Sequence, residues 1–230
     1  LAWKIEQAKL EALEKVGVYS ADKIFPITKN DSFSYSQYFP NVKFRPFLRQ
    51  PILLHSKKIS NSDEKVITLI GRIDARKMSG VQHFVRHIFP QIYNWDSSFK
   101  LLIAGKGSEI FHSPDNNVFG YGYVDNEDDF ILRGRFFVNP QSQGAGLQFK
   151  ILKAISLGRV VFSTPLSMQG LDNRFDGVIK YCNADDLKQN FANILKRKHI
   201  MPNKSQFSVE RFERHHEAYI LPMLRGLSDE

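Results

Sequence analysis

Two segments of the chain combine glycines with basic side chains in a pattern that suits phosphate binding. The first, Gly144-Ala-Gly-Leu-Gln-Phe-Lys150, leads directly into a predicted helix over 147–157. Unpaired backbone N–H groups and the positive end of the helix dipole attract anions, and Lys150 adds a full charge. Lys153 lies on the same predicted helix face. The segment predicts a phosphate site, but a tight strand-to-helix turn with two solvated lysines would give the same pattern.

The second segment, Gly71-Arg-Ile-Asp-Ala-Arg-Lys77, follows a predicted strand over 66–70 and precedes a predicted helix over 79–93. In open α/β sheets, ligands bind beyond the carboxyl ends of the strands. Arg72 and Lys77 are therefore expected at the same edge of the sheet as Gly144–Gly146. A solvated basic turn is the alternative interpretation.

The other candidate motifs carry less information about function. The glycine pairs Gly105–Gly107 and Gly120–Gly122 complete neither a dinucleotide fingerprint nor a triphosphatase loop. The acidic run Asp125–Asp129 could hold a divalent cation, although its place at a predicted helix start favours N-capping. A single cysteine, Cys182, excludes an internal disulfide framework and a cysteine-based zinc site. No metal site is predicted.

The charge of the chain narrows the class of ligand. Thirty-two Lys and Arg against 24 Asp and Glu give a net charge of +8, which attracts nucleic acid, acidic lipid head groups or phosphorylated small molecules. Nucleic acid is the weakest of these, because no groove-reading helix or aromatic RNA-binding signature is present. The polar start of the chain predicts no secretory signal, and no apolar run is long enough to span a bilayer. We expect a cytoplasmic location, with peripheral contact at the anionic inner membrane face as an open possibility.

From residue 66 onward, short apolar runs alternate with amphipathic segments. This alternation predicts an α/β fold with a Rossmann-like parallel sheet and helices on both faces. We assign residues 1–50 to the tail of a preceding domain, 51–64 to a linker and 65–230 to the main domain. The predicted strands are 66–70, 100–104, 118–123, 135–138, 159–163 and 178–181, and the predicted helices are 4–16, 79–93, 125–133, 147–157, 185–198 and 207–225.

Several motifs in order resemble the donor domain of family-four, GT-B-type glycosyltransferases over roughly residues 66–200. They are Val66-Ile-Thr-Leu-Ile-Gly-Arg-Ile-Asp-Ala-Arg-Lys77, Val118-Phe-Gly-Tyr-Gly-Tyr-Val124, Phe136-Phe-Val-Asn-Pro140, the segment Gly144–Gly158, and Val160-Val-Phe-Ser-Thr164. A charged helix followed by Ala21-Asp-Lys-Ile24 resembles the end of the acceptor-binding domain of the same family. The resemblance implies a donor half that lacks most of the acceptor domain.

The resemblance also implies roles for individual residues. Arg72 and Lys77 would be catalytic and contact the donor diphosphate, and Tyr123 and Val124 would hold the base through backbone groups. The remaining donor-binding residues would be Gly71, Gly144, Ala145, Gly146, Lys150 and Lys153. The implied reaction is the retaining transfer of a sugar from a nucleoside diphosphate sugar to a saccharide or glycolipid acceptor in cell-surface polysaccharide biosynthesis. No metal or other cofactor is implied.

Three positions depart from the family pattern. Lys153 stands where the family has a ribose-binding carboxylate, Ala145 where it has the first Glu of a Glu-x7-Glu pair, and Gln148 where a subgroup has Arg. A lysine cannot accept hydrogen bonds from ribose hydroxyls. Ribose recognition is then rearranged, the donor is unusual, or activity has been lost. A non-catalytic nucleotide- or sugar-binding module is therefore the alternative function.

Overall fold

Buried apolar runs form the strands of one parallel sheet, as expected for strands covered on both faces. The computed structural model describes residues 2–22, 24–26, 29–42, 63–71, 73, 75–143, 148–168 and 178–196. The strands are β1 (Asp63–Ile70), β2 (Lys100–Ala104), β3 (Val118–Gly120), β4 (Gly134–Asn139), β5 (Val160–Ser163) and β6 (Val178–Lys180). Within the described residues they form a six-stranded sheet in the order β3-β2-β1-β4-β5-β6, with every neighbouring pair parallel. The predicted fold class is confirmed.

Two helices, α1 (Ala2–Ser20) and α2 (Lys29–Tyr38), precede β1 in the chain. The helices after β1 pack on the two faces of the sheet. They are α3 (Ala75–His83), α4 (Phe89–Trp95), α5 (Glu127–Ile131), α6 (Phe149–Ser156) and α7 (Ala184–Lys196), and a π-helical turn over Phe84–Ile88 joins α3 to α4. The helix predicted from Ser79 begins instead at Ala75. Its first residues include Arg76, Lys77 and Met78, which all favour helix, so propensity extends the helix into the basic segment. The predicted helix 207–225 lies outside the described residues.

Alternate residues of each strand contribute to two separate hydrophobic clusters, one on each face of the sheet. The first cluster includes Ile67 and Phe136 from the strands, and α3, α4 and α7 pack on it. The second includes Ile70 and Phe137, and α5 and α6 pack on it. Phe191 of α7 lies 4.7 Å from the ring of Phe136, which anchors the last described helix to the sheet.

The chain divides into two units, Leu1–Arg49 and Gln50–Glu230. In the first unit, the Tyr35 hydroxyl donates a hydrogen bond to Glu14, and Phe39 is buried beside the rings of Tyr19 and Tyr35. No helix of the described part of the chain combines the length and the apolar character that crossing a bilayer requires. The assignment of residues 1–50 to an acceptor-side domain stays a prediction.

Candidate functional site

A pocket of about 220 Å³ opens at the carboxyl ends of β1 and β4. The chain leaves β1 toward β2 on one side and leaves β4 toward β5 on the other, so the strand order reverses between them. Such a switch point is where open α/β sheets bind their ligands. The pocket is lined by Leu69, Ile70, Gly71, Ile73, Val81, Asn139, Pro140, Gln141, Gln148, Phe149 and Lys150.

Lys150 brings a positive charge to this pocket. It lies in the first turn of α6, and its Nζ donates a hydrogen bond of 3.1 Å to the carbonyl oxygen of Ile70, at the end of β1. Gly71 makes room for it, because a Cβ at this position would lie 2.0 Å from Nζ. Gly71 also has φ of +151°, a conformation that side chains disfavour. Gly71 and Lys150, both predicted to bind the donor, therefore meet at one wall of the pocket.

Another part of the pocket wall forms where α3 packs closely on the segment that follows β4. A Cβ on Gly80 would lie only 2.1 Å from the backbone oxygen of Pro140. One residue earlier, the Ser79 hydroxyl lies 2.8 Å from the hydroxyl of Ser142. Gly80 thus sets the distance between Val81 and Pro140, two residues that line the pocket.

The other residues predicted to bind phosphate lie wholly or in their side chains outside the described part of the chain. Lys77 lies in the first turn of α3, and only its backbone belongs to the described part. Arg72, Gly144, Ala145 and Gly146 lie outside the described residues. Their predicted contacts with a diphosphate stay predictions.

Lys153 contacts a different part of the fold from Lys150. Its Nζ lies 3.0 Å from Glu127 Oε2 and 3.0 Å from Asp128 Oδ1, at the start of α5. Burial alone lowers the pKa of Lys153, but the hydrogen bonds to Asp128 and Glu127 outweigh that effect, and the pKa lies above its ordinary value. Lys153 does not line the pocket at β1 and β4. Its predicted role at the donor stays a prediction.

Tyr123 and Val124 follow β3, at the same carboxyl edge of the sheet. Tyr123 is exposed, whereas Val124 packs against the second cluster. The turn before them is held by Gly122, whose N–H donates to the buried Ser108 hydroxyl at 2.9 Å. Gly122 also accepts a bond of 2.6 Å from the N–H of Gly105, so the two glycine pairs shape the loops around this turn. Contact of Tyr123 and Val124 with a base remains a prediction of the resemblance.

The run Asp125–Asp129 contains the N-cap residue of α5, Asn126. The side chain of Asn126 accepts hydrogen bonds from the N–H groups of Asp128 and Asp129, at 3.0 and 3.1 Å. No three His, Cys, Asp or Glu side chains of the described residues are arranged as metal ligands. The N-cap interpretation of the run is confirmed.

We expect Asn126→Ala to lower the free energy of unfolding by about 1 kcal/mol, the usual cost of losing an N-cap. Chemical denaturation followed by circular dichroism measures this change. The exposed Asn193 in α7 provides the control, since Asn193→Ala removes an asparagine from within a helix and leaves the cap in place. Equal stability of Asn126→Ala and the unaltered protein would contradict the capping role.

Sequence reasoning missed several residues that line the pocket, above all Asn139 and Gln141. Their signal was available, because Asn139-Pro-Gln141 comes directly after the buried residues of β4. Polar residues at that point of a parallel strand lie at the ligand-binding edge.

These features define a doubly wound α/β protein with a Rossmann-like fold and a pocket that carries the cation of Lys150 at the point where the strand order reverses. Residues 64–197, more than half of the chain, match the family model described as Glycosyl transferases group 1. The chain belongs to that family. No curated protein sequence shows significant similarity to it.

Several solved structures share the fold at low sequence identity. A point mutant of S. aureus TarM, in complex with fondaparinux, α-GlcNAc-glycerol and UDP, is 16% identical with a TM-score of 0.65, over 88% of this chain and 42% of that chain. Anabaena HepE in complex with UDP is 10% identical with a TM-score of 0.68, over 97% of this chain and 68% of that one. Sucrose-phosphate synthase from Thermosynechococcus elongatus is 17% identical with a TM-score of 0.63, over 95% of this chain and 60% of that chain. The chain spans about two-fifths of the length of the TarM structures.

Proposed function

We propose that this chain is the donor-binding half of a glycosyltransferase that transfers a sugar from a nucleoside diphosphate sugar. The observation that carries the proposal is the pocket at the carboxyl ends of β1 and β4, with the ammonium of Lys150 at its wall. Membership of the glycosyltransferase family supports it. The complexes of HepE and the TarM mutant with UDP offer a precedent for this ligand class on the same fold.

The proposed chemistry replaces the bond between the anomeric carbon and the diphosphate oxygen with a bond to an acceptor hydroxyl oxygen, whose proton passes to the leaving diphosphate. Positive charge develops on the sugar as an oxocarbenium-like centre, and negative charge grows on the leaving diphosphate. Lys150 stabilises that negative charge because a cation at a water-poor site interacts strongly with a nearby phosphate. Arg72 and Lys77 add to it if the predicted contacts form, and with three cations the reaction needs no metal. Retention of the anomeric configuration follows from the family resemblance.

The acceptor side of the proposal depends on residues beyond the donor pocket. The proposed acceptor is a saccharide or a lipid-linked saccharide of cell-surface polysaccharide biosynthesis. The net charge of +8 favours contact with an anionic membrane surface at the cytoplasmic face, where the protein would encounter lipid-linked saccharides. Domain closure in the whole protein would bring the acceptor to the donor.

A non-catalytic binding module is the second candidate function, and one observation favours it. Lys153 forms ion pairs with Glu127 and Asp128, at a position where the family resemblance expects a carboxylate for ribose. The pocket with Lys150 would then bind a nucleotide without transferring its sugar. Release of free sugar from a bound nucleotide sugar separates the two candidates, since only the enzyme breaks the anomeric bond.

We expect the chain to bind a nucleoside diphosphate at least about 10-fold more tightly than the matching monophosphate, because a charge-assisted contact is worth about 1.5–3 kcal/mol. Titration calorimetry with the pairs UDP/UMP, GDP/GMP and ADP/AMP measures the preference and identifies the base. Repeating the titrations at high salt is the control, since a phosphate contact weakens with ionic strength. Equal affinity for both members of each pair would refute the cationic phosphate site.

A further inference from the structure

Two buried polar atoms at the carboxyl ends of neighbouring strands have no hydrogen-bond partner among the described residues. They are the Nδ2 atom of the half-buried Asn139 and the hydroxyl oxygen of Ser163. Asn139 lines the pocket, and Ser163 is fully buried. Native proteins rarely leave such groups unpaired, because each costs about 1–3 kcal/mol. An unpaired donor beside a ligand pocket points to a partner that the ligand supplies.

Asn139 and Ser163 are direct neighbours in the sheet. They are the last residues of β4 and β5, and the register of the two strands pairs them. Paired residues of parallel strands project from the same face of the sheet, and the strands lie about 4.8 Å apart. Phe137 and Val161, two residues earlier on each strand, belong to the cluster under α6. Asn139 and Ser163 therefore lie on the face of the sheet that α6 covers, and Lys150 is in the first turn of that helix.

The side chain of Asn139 has a carbonyl oxygen, which accepts hydrogen bonds, and an NH2 group, which donates two. The hydroxyl of Ser163 can donate to the carbonyl oxygen. Rotation about the last side-chain torsion of asparagine exchanges the positions of the two groups, and that torsion is soft. With the oxygen turned toward Ser163, the serine hydroxyl donates to it. The NH2 group is then free to face the pocket. This one rotation gives the Ser163 hydroxyl an acceptor and turns the Asn139 NH2 group toward the pocket.

We propose that Asn139 is a donor-binding residue whose NH2 group donates a hydrogen bond to a phosphoryl oxygen of the bound nucleoside diphosphate, and that Ser163 is a positioning residue that holds the amide in this orientation. The inference rests on the proposed function. Phosphate is the chemistry that fits, because Lys150 supplies positive charge in the same pocket, whose other walls include Leu69, Val81 and Phe149. Ser163 acts only through Asn139.

The test compares Asn139→Ala, Asn139→Asp and Ser163→Ala by titration calorimetry with the diphosphate that the unaltered chain binds most tightly among UDP, GDP and ADP. Asn139→Ala should weaken binding about 10-fold or more, as expected for a hydrogen bond to a charged group. Asn139→Asp should weaken it at least as much, since a carboxylate cannot donate and repels phosphate. Ser163→Ala should weaken binding less, and should add nothing in the Asn139→Ala background.

The stability of the same variants separates a binding role from a structural one. Ser163→Ala removes a buried hydroxyl that has no partner until the amide of Asn139 turns toward it, so we expect the midpoint of unfolding of the nucleotide-free protein to stay or rise while the affinity falls. Ser156 is the matched control, because it is also buried but its hydroxyl donates to the Lys153 carbonyl at 2.7 Å. Ser156→Ala should lower the midpoint and leave nucleotide affinity unchanged.

The titrations distinguish failure of the proposed function from failure of the roles of Asn139 and Ser163. If the unaltered chain binds none of the three diphosphates, the proposed function and this inference both fall. If it binds one of them and Asn139→Ala binds equally well, only the inference is overturned. A Ser163→Ala effect that persists in the Asn139→Ala background would overturn the positioning role of Ser163.

Discussion

Gly80→Ala should destabilise the protein by about 1–3 kcal/mol, the range for overpacking a well-packed site. In an unhindered helix the same change would stabilise by about 0.5–1 kcal/mol, because alanine loses less backbone entropy on folding. Here the new Cβ would lie 2.1 Å from the Pro140 backbone oxygen, and a backbone atom cannot swing aside as a flexible side chain can. The clash should therefore outweigh the gain in helix propensity.

Urea denaturation followed by circular dichroism measures the shift in the midpoint of unfolding. If the m-value is unchanged, that shift converts directly into a change in the free energy of unfolding. The control is Gly17→Ala in α1, where an added Cβ meets no atom within 4 Å. That variant should be as stable as the unaltered chain or more so. Gly80→Ala should also weaken diphosphate binding, since moving α3 separates Val81 from Pro140 at the pocket. A Gly80→Ala protein that gained stability as Gly17→Ala does would show that α3 is not tightly packed on the segment after β4.

The sheet and the location of the pocket were predictable from sequence because they depend on local patterns. Apolar runs such as Val66–Ile70, each followed by a glycine or a polar residue, mark strands and their carboxyl ends. The parallel order and the edge that binds ligands then follow from general rules of α/β topology. The start of α3 was less predictable, since the basic residues there suit both a turn and a helix.

The directions of the two lysines on α6 could not be predicted from sequence, because their partners come from distant parts of the chain. Lys150 bonds to the carbonyl of Ile70, 80 residues away, and Lys153 bonds to Glu127, 26 residues away. Helix periodicity places both lysines on one face but does not show which partner each of them meets. Capping at the start of α5 is local, and the sequence predicted it for the run Asp125–Asp129, although not for Asn126 in particular. The unpaired state of Asn139 and Ser163 is a property of tertiary packing, with no sequence signal of its own.

Lys150→Met should cause the largest loss of nucleotide affinity among single changes at the pocket. Methionine keeps the apolar stem of the side chain against Gly71 and removes only the ammonium group. The lost charge-assisted contact with phosphate is worth about 1.5–3 kcal/mol, which corresponds to roughly 10- to 150-fold in the dissociation constant. Stability should change little by comparison, since Nζ of Lys150 donates to a carbonyl oxygen in a half-buried setting.

Lys153→Met is the matched control, because it makes the same chemical change one turn further along α6. Its ammonium is held by Glu127 and Asp128 and does not line the pocket, so diphosphate affinity should stay within a few-fold of the unaltered chain. Calorimetry on both variants with the same diphosphate measures the difference between the two positions. Equal losses of diphosphate affinity in the two variants would mean that the overall positive charge of the surface attracts the nucleotide, and that Lys150 makes no specific contact with it at the pocket. A loss confined to Lys153→Met would move the phosphate site to the start of α5, because the ion pairs of Lys153 would then have to open when the nucleotide binds.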